Sequence, residues 1–209
     1  LMEYSKEFKA ALSNFSPVEK DRLIFRLLKK DKLLSKKLYF ELIDPETADE
    51  KRDEMEKIIT EKVEFAARHI ISHKYFLLLI RKISALITEH VKITTDKFGD
   101  IYLQLFLVDQ ILNYNEKLQK QSFDNLNRLY LYLINKILKA LIAIKKIDED
   151  YWMELSEVLQ NLETKIPENK YLSKLAVANG FEFEWLNIDT LPDHLDLMVK
   201  DLKNQGYLK

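Results

Sequence analysis

Cysteine is absent from the 209 residues, and glycine and proline number only 3 and 4. Without cysteine there can be no disulfide, no thiolate nucleophile and no cysteine-based zinc site, which is compatible with a reducing, cytoplasmic setting. An average chain of this length carries about twice as much proline and several times as much glycine. Hairpin turns and phosphate-cradling loops draw on glycine for positive φ, so most loop-built enzyme architectures are excluded. No P-loop is possible with Gly99, Gly180 and Gly206 isolated, and Gly-x-Ser-x-Gly does not occur.

Long apolar runs are also missing. Unbroken stretches stop at six residues, as at 75–80, far short of a membrane span. The opening residues carry charges and no apolar run, so no leader is read there. Arginine is scarce, at positions 22, 26, 52, 68, 81 and 128 only, and the net charge is -1. Arginine is the usual fork for phosphates and base edges, so nucleic acid is not the expected partner.

What remains is 47% hydrophobic and 32% charged residues, arranged at helical spacing. A chain this long can bury roughly 70% of its unfolded surface. The expected fold is all-α, seven to nine helices in an irregular bundle or a short stacked, solenoid-like array of hairpins. The main bundle is assigned to 1–147, with a C-terminal helical segment, 148–209, packed on it as one domain.

The pattern places helices over 2–14, from Ser16-Pro17 to about 30, and through Leu33, Leu34, Leu38 and Leu42 up to Asp44-Pro45. Ser16, Pro17 and Glu19 form a capping-box start. Further helices are expected over 47–72 and 75–91. Gly99-Asp100 is read as a break, followed by a helix over 101–113 that is apolar almost all round and therefore central. The longest amphipathic helix is placed at 122–147, and another covers 148–165, ended by Pro167. Residues 171–179 and 192–204 are also helical. Phe181 to Trp185 alternates apolar and charged, the single strand-like stretch.

Few groups could carry chemistry. His69 and His73 stand four apart, which on one helix places both on one face, the spacing of helix-borne metal sites. The residue after His69 is Ile70, so HEXXH fails, and Glu-x-x-His fails at every histidine. The favoured reading is therefore structural imidazoles. Asp49-Glu50-x-x-Asp53-Glu54 resembles, faintly, the acidic Mg²⁺ motifs of all-helical pyrophosphate enzymes. Acids at a helix start also complement its dipole, and Lys51, Arg52 and Lys57 can neutralise them. Residues 174–187, with Ala176 and Gly180, resemble a helix-turn-helix, although Glu182 and Glu184 would face phosphates. Asp109, in the central helix, needs a partner or must be neutral.

Catalytic residues, cofactors and resident metals are thus not expected, His69, His73, Asp49 and Asp53 being the weak metal candidates. The preferred function is a non-catalytic binding or scaffold module that presents a groove or helix face to a protein partner or to another copy. Tyr130, Phe181, Phe183 and Trp185 are the candidate partner-binding residues. The alternatives are a metal-dependent helical hydrolase using 49–54 and a DNA-binding regulator through 174–187.

Overall fold

The computed structural model describes residues 4–119 and 126–209. Among these the chain is all-α: eleven helices, three short 3-10 turns and no strand. The helices are α1 (Lys6–Ser13), α2 (Pro17–Lys30), α3 (Lys32–Leu42), α4 (Ala48–Arg68), α5 (His73–Thr94), α6 (Lys97–Leu112), α7 (Asn115–Gln119), α8 (Leu126–Ile144), α9 (Trp152–Glu168), α10 (Lys170–Ala178) and α11 (Leu195–Asn204). The count exceeds the expected seven to nine, and the helix in a stretch that read as a connection is α7, five residues long. The beginnings of two expected helices, at 2–3 and 122–125, lie outside the described residues.

Helix α6 is the centre. Leu103, Leu105, Leu107, Val108 and Ile111 are fully buried, and they point in several directions around its axis. It is surrounded by α4, α5, α8 and α9, and α10 and α11 pack on from the α8–α9 side. Its one buried acid, Asp109, is paired with Lys165 of α9 at 2.6 Å.

Several boundaries differ from the sequence reading. Gly99 does not break the chain but sits in the first turn of α6, where its N–H donates to the Asp96 cap at 2.8 Å. A Cβ at Gly99 would lie 2.1 Å from Asp96 Oδ2. Glycine is needed there because that carboxylate, also held by Arg52, fills the space. The helix expected to reach 72 ends at Arg68, because the Ser72 side chain accepts from Tyr75 N and starts α5 instead. Pro167 lies inside the last turn of α9, where it forfeits one hydrogen bond, and the chain turns at Asn169. The alternation at 181–185 is not a strand. Residues Phe183–Leu186 form a 3-10 turn that buries Trp185 and Leu186.

The C-terminal region is built into the core. Trp185 and Phe181 meet edge to face at 5.7 Å, and both are buried. Gly180 takes φ 77 after α10, against the Leu202 side chain, where a Cβ would come within 2.5 Å of it. Leu208 is buried near the chain end, its N–H held by Asn179 Oδ1 at 2.8 Å and its carbonyl by Asn135 at 3.1 Å.

The N-terminal helices are the opposite case. No residue of α1, α2 or α3 is buried. Removing residues 1–30 should therefore shift the melting temperature by no more than a few degrees. Trp185→Ala should cost about 3–5 kcal/mol. Thermal and urea unfolding of the two variants check both values; a truncated chain destabilised as much as Trp185→Ala would contradict this division.

Candidate functional site

Helix α2 begins on a complete capping box: Ser16 N donates to Glu19 Oε2 at 2.9 Å and Glu19 N donates to Ser16 Oγ at 3.3 Å, with Pro17 at the first helical position. From there the sequence sets one face against the other. Leu23, Ile24, Leu27 and Leu28 line a stripe at helical spacing, and Arg22, Arg26, Lys29 and Lys30 occupy the opposite face. The stripe is only partly covered: Leu23 and Leu28 are half-buried, but Ile24 is 48% exposed, Leu27 51% and the neighbouring Phe25 63%. Phe8 on α1 and Leu42 on α3 are exposed as well. Residues 4–43 hold ten Lys or Arg against five Asp or Glu, in a chain whose net charge is -1. The excess positive charge is thus concentrated on the uncovered helices, and the remainder of the chain is acidic.

Helix α3 fastens this arm to the rest by packing on α5, where Lys36 Nζ meets Glu89 Oε1 at 2.6 Å. A cleft of about 580 Å³ opens at this root, between α3, α4 and α5. Tyr39, Phe40, Met55, Leu86 and Ile93 give it apolar walls. Lys51 stands at its edge, within 3.6 Å of Asp44 and 3.4 Å of Glu54, and hydrogen-bonded to Glu46. His90 lines the cleft and is 8% exposed. Burial pushes its imidazole below the ordinary histidine value; Asp96 and Glu54 oppose this, and Arg52 and Lys51 add to it.

The sequence candidates are not brought together. His69 ends α4, exposed, with Nδ1 at 2.8 Å from the Phe65 carbonyl. His73 starts α5, buried, with Nε2 at 2.9 Å from the Leu118 carbonyl. They do not share a helix, so the i,i+4 chelate geometry is not formed. Asp49 is held by Arg52 at 2.7 Å, Glu50 closes the Thr47 capping box, Glu54 joins Lys51, and Asp53 is exposed on α4. Among the described residues no group of three or more His, Asp or Glu converges as a metal site. For the helix-turn-helix reading, α10 is present, but a 3-10 turn stands where the recognition helix should begin.

The aromatic candidates lie inside. Tyr130, Phe181 and Trp185 are buried and Phe183 is half-buried. Tyr130 Oη accepts from Asn169 Nδ2 at 2.7 Å, and Asn169 also reaches Asn115 Oδ1 at 3.0 Å. These surfaces are covered within the chain, because the tail folds back on α8 and α9. Half of the exposed large apolar side chains among the described residues lie instead in residues 4–43.

One polar cluster had little sequence signal. Lys136 of α8 donates to Ser84 Oγ of α5 at 2.5 Å and to Gln104 Oε1 of α6, with its Nζ 5.3 Å from the Tyr132 ring centre. Burial pushes the amine down to about 8, helped by Lys139 and opposed by Asp100. The only hint in the sequence is a lysine at the edge of the α8 apolar stripe. A low-lying amine beside a serine hydroxyl could serve as a general base. Here, however, the hydroxyl and the amine are both spent on Gln104, and the cluster ties three helices together.

Comparison with protein-family models, with curated proteins and with solved structures found no match.

The Lys136 amine sets a pH dependence. The folded protein releases its proton near pH 8, and the unfolded chain holds it to about 10.5. Between those values the unfolded chain binds more protons, so stability rises with pH. Urea unfolding should show the parent gaining stability relative to Lys136→Met from pH 8 to 10.5. A pH-independent difference would mean the amine is not depressed.

Proposed function

We propose that the protein is a non-catalytic helical binding module that docks a protein partner through its N-terminal arm. The observation that carries this reading is that α1 and α2 are formed, capped and amphipathic, yet contribute no buried residue. An isolated helix of such length is marginal in water, and an apolar stripe is normally what holds a surface helix in place. A stripe left largely exposed, joined to a folded body by α3, suits helix-in-groove recognition. The basic face of α2 supports a partner whose apolar groove has an acidic rim.

Two other surfaces fit less well. Lys20 and Asp21 lie within the span of the stripe, beside Ile24. An acid there is repelled by anionic headgroups and is costly in lipid, whereas a protein groove can pair it. Another copy of this chain offers an apolar groove along α4 and α5 at Phe65, Leu79 and Ile83. Its charged rim is Glu61, Lys62 and Lys82, which does not complement a basic helix.

The test is a photo-crosslinking residue at position 24, in extracts of the source cells, followed by purification of the captured protein. The expected result is one discrete, different protein that binds the intact parent, more weakly at high salt. Ile24→Asp with Leu27→Asp, both exposed in the free protein, should weaken that binding by more than about tenfold, since each buried aliphatic anchor is worth about 1.5–3 kcal/mol. Folding stability should stay within about 0.5 kcal/mol, as at other surface positions. Adducts only with a second copy, binding only to phosphatidylserine vesicles, or affinity unchanged in the double variant would each overturn the proposal.

A further inference from the structure

The groove along α4 and α5 has chemistry of its own, independent of what the arm binds. The two helices pack on each other and are joined by only four residues, 69–72, so they run antiparallel. The groove between them, about 700 Å³, falls in the size range of small-molecule sites. Its floor and walls are Phe65, Leu79, Ile83, Ala85 and Leu86. Phe65 is 59% exposed, a large apolar ring left at the surface. From Leu79 to Leu86 the apolar floor extends about 10 Å along α5.

The charges on the rim narrow the chemistry. Lys62 lies six residues before the end of α4 and Lys82 nine after the start of α5, so they stand within about 5 Å of the same height on opposite sides of the groove. Among the described residues neither lysine takes part in an ion pair. The acids nearby are largely engaged elsewhere. Glu61 stands on the same rim but also faces the pocket of Lys57 and Thr60 beyond it. Glu64 is held by Arg68, and Glu89 by Lys36. Glu54, which joins Lys51 at the α3 cleft, is eight residues from Lys62, about 12 Å along the axis and beyond a screening length. Two amines against one carboxylate leave the groove positive above an apolar floor, which suits an anion with an apolar tail. A groove one helix pair wide admits a single chain and not the face of a bilayer. We propose that this groove binds a free fatty carboxylate of medium chain length, its head between Lys62 and Lys82 and its tail along Leu79, Ile83 and Leu86.

The test titrates decanoate, decanol and decyltrimethylammonium, each below its micelle concentration, into the intact protein carrying ¹³C-labelled Ile and Leu methyl groups. The expected result is saturable binding of decanoate that shifts Leu79, Ile83 and Leu86. Its affinity should be about twofold to tenfold above that of decanol and fall with salt, and decyltrimethylammonium should bind weakest. Lys62→Met with Lys82→Met, which keeps the apolar stems, should erase the preference for decanoate. Ala85→Trp, at an exposed helix position in the groove, should block all three probes while circular dichroism stays native. Equal affinity of decanoate and decanol for the parent, a preference that survives the double lysine variant, or binding that survives Ala85→Trp would overturn the proposal. Shifts confined to Leu23, Ile24 and Leu27 of the arm, or binding to phosphatidylglycerol vesicles without uptake of decanoate, would overturn it equally.

Discussion

The structure depends on covering one helix. Helix α6 is apolar around nearly its whole circumference, and such a helix is stable in water only inside a shell of other helices. The shell supplied by α4, α5, α8 and α9 explains their amphipathic stripes and their order around the centre. Even the exceptions follow from that burial. Asp109 is tolerated because Lys165 reaches it, and Asp96 because Arg52 holds it while lying 4.5 Å from the Phe98 ring centre. Removing one partner of such a pair leaves an uncompensated charge, so these contacts act as register pins more than as sources of stability.

The arm has the same helical grammar without the same outcome. Helix α2 is as amphipathic as α8, but α8 finds α6 and α10, and α2 finds little beyond α3. Charge divides in the same place, basic on residues 4–43 and acidic beyond. The body therefore gives the arm a folded base, and the exposed stripe gives the molecule something to recognise with. The cleft at α3 lies between these two parts.

The sequence was most informative where one physical rule decided the matter. The scarcity of glycine and proline pointed to helices, the apolar girth of 101–113 pointed to the central helix, and Ser16-Pro17-x-Glu19 marked the start of α2. It misled where tertiary contacts decided. Gly99 read as a break because its carboxylate neighbour, fixed by Arg52 from 44 residues away, is invisible locally. The alternation at 181–185 imitated a strand, although Trp185 and Phe181 are turned inward by a 3-10 turn. Tyr130, Phe181 and Trp185 are covered within the chain: amphipathic width shows that a surface must be covered, not whether the chain itself covers it. α8 and α2 are both amphipathic; α8 is the more apolar of the two, and the packing shows that its stripe is the covered one. The sequence places His90 near the apolar stripe of Ile83, Leu86 and Ile87, but an orphaned nitrogen such as its Nε2, without a partner among the described residues, is defined by its surroundings.

The central claim is that α1 and α2 bury no side chain in the free protein while α6 is the buried centre. Amide hydrogen exchange of the intact protein, resolved by peptide, tests it most directly. The account predicts that α2 amides exchange at least about a thousandfold faster than those of α6, which should open only with global unfolding. Comparable protection in α2 and α6 would mean that the arm is packed in solution, and the account would be contradicted.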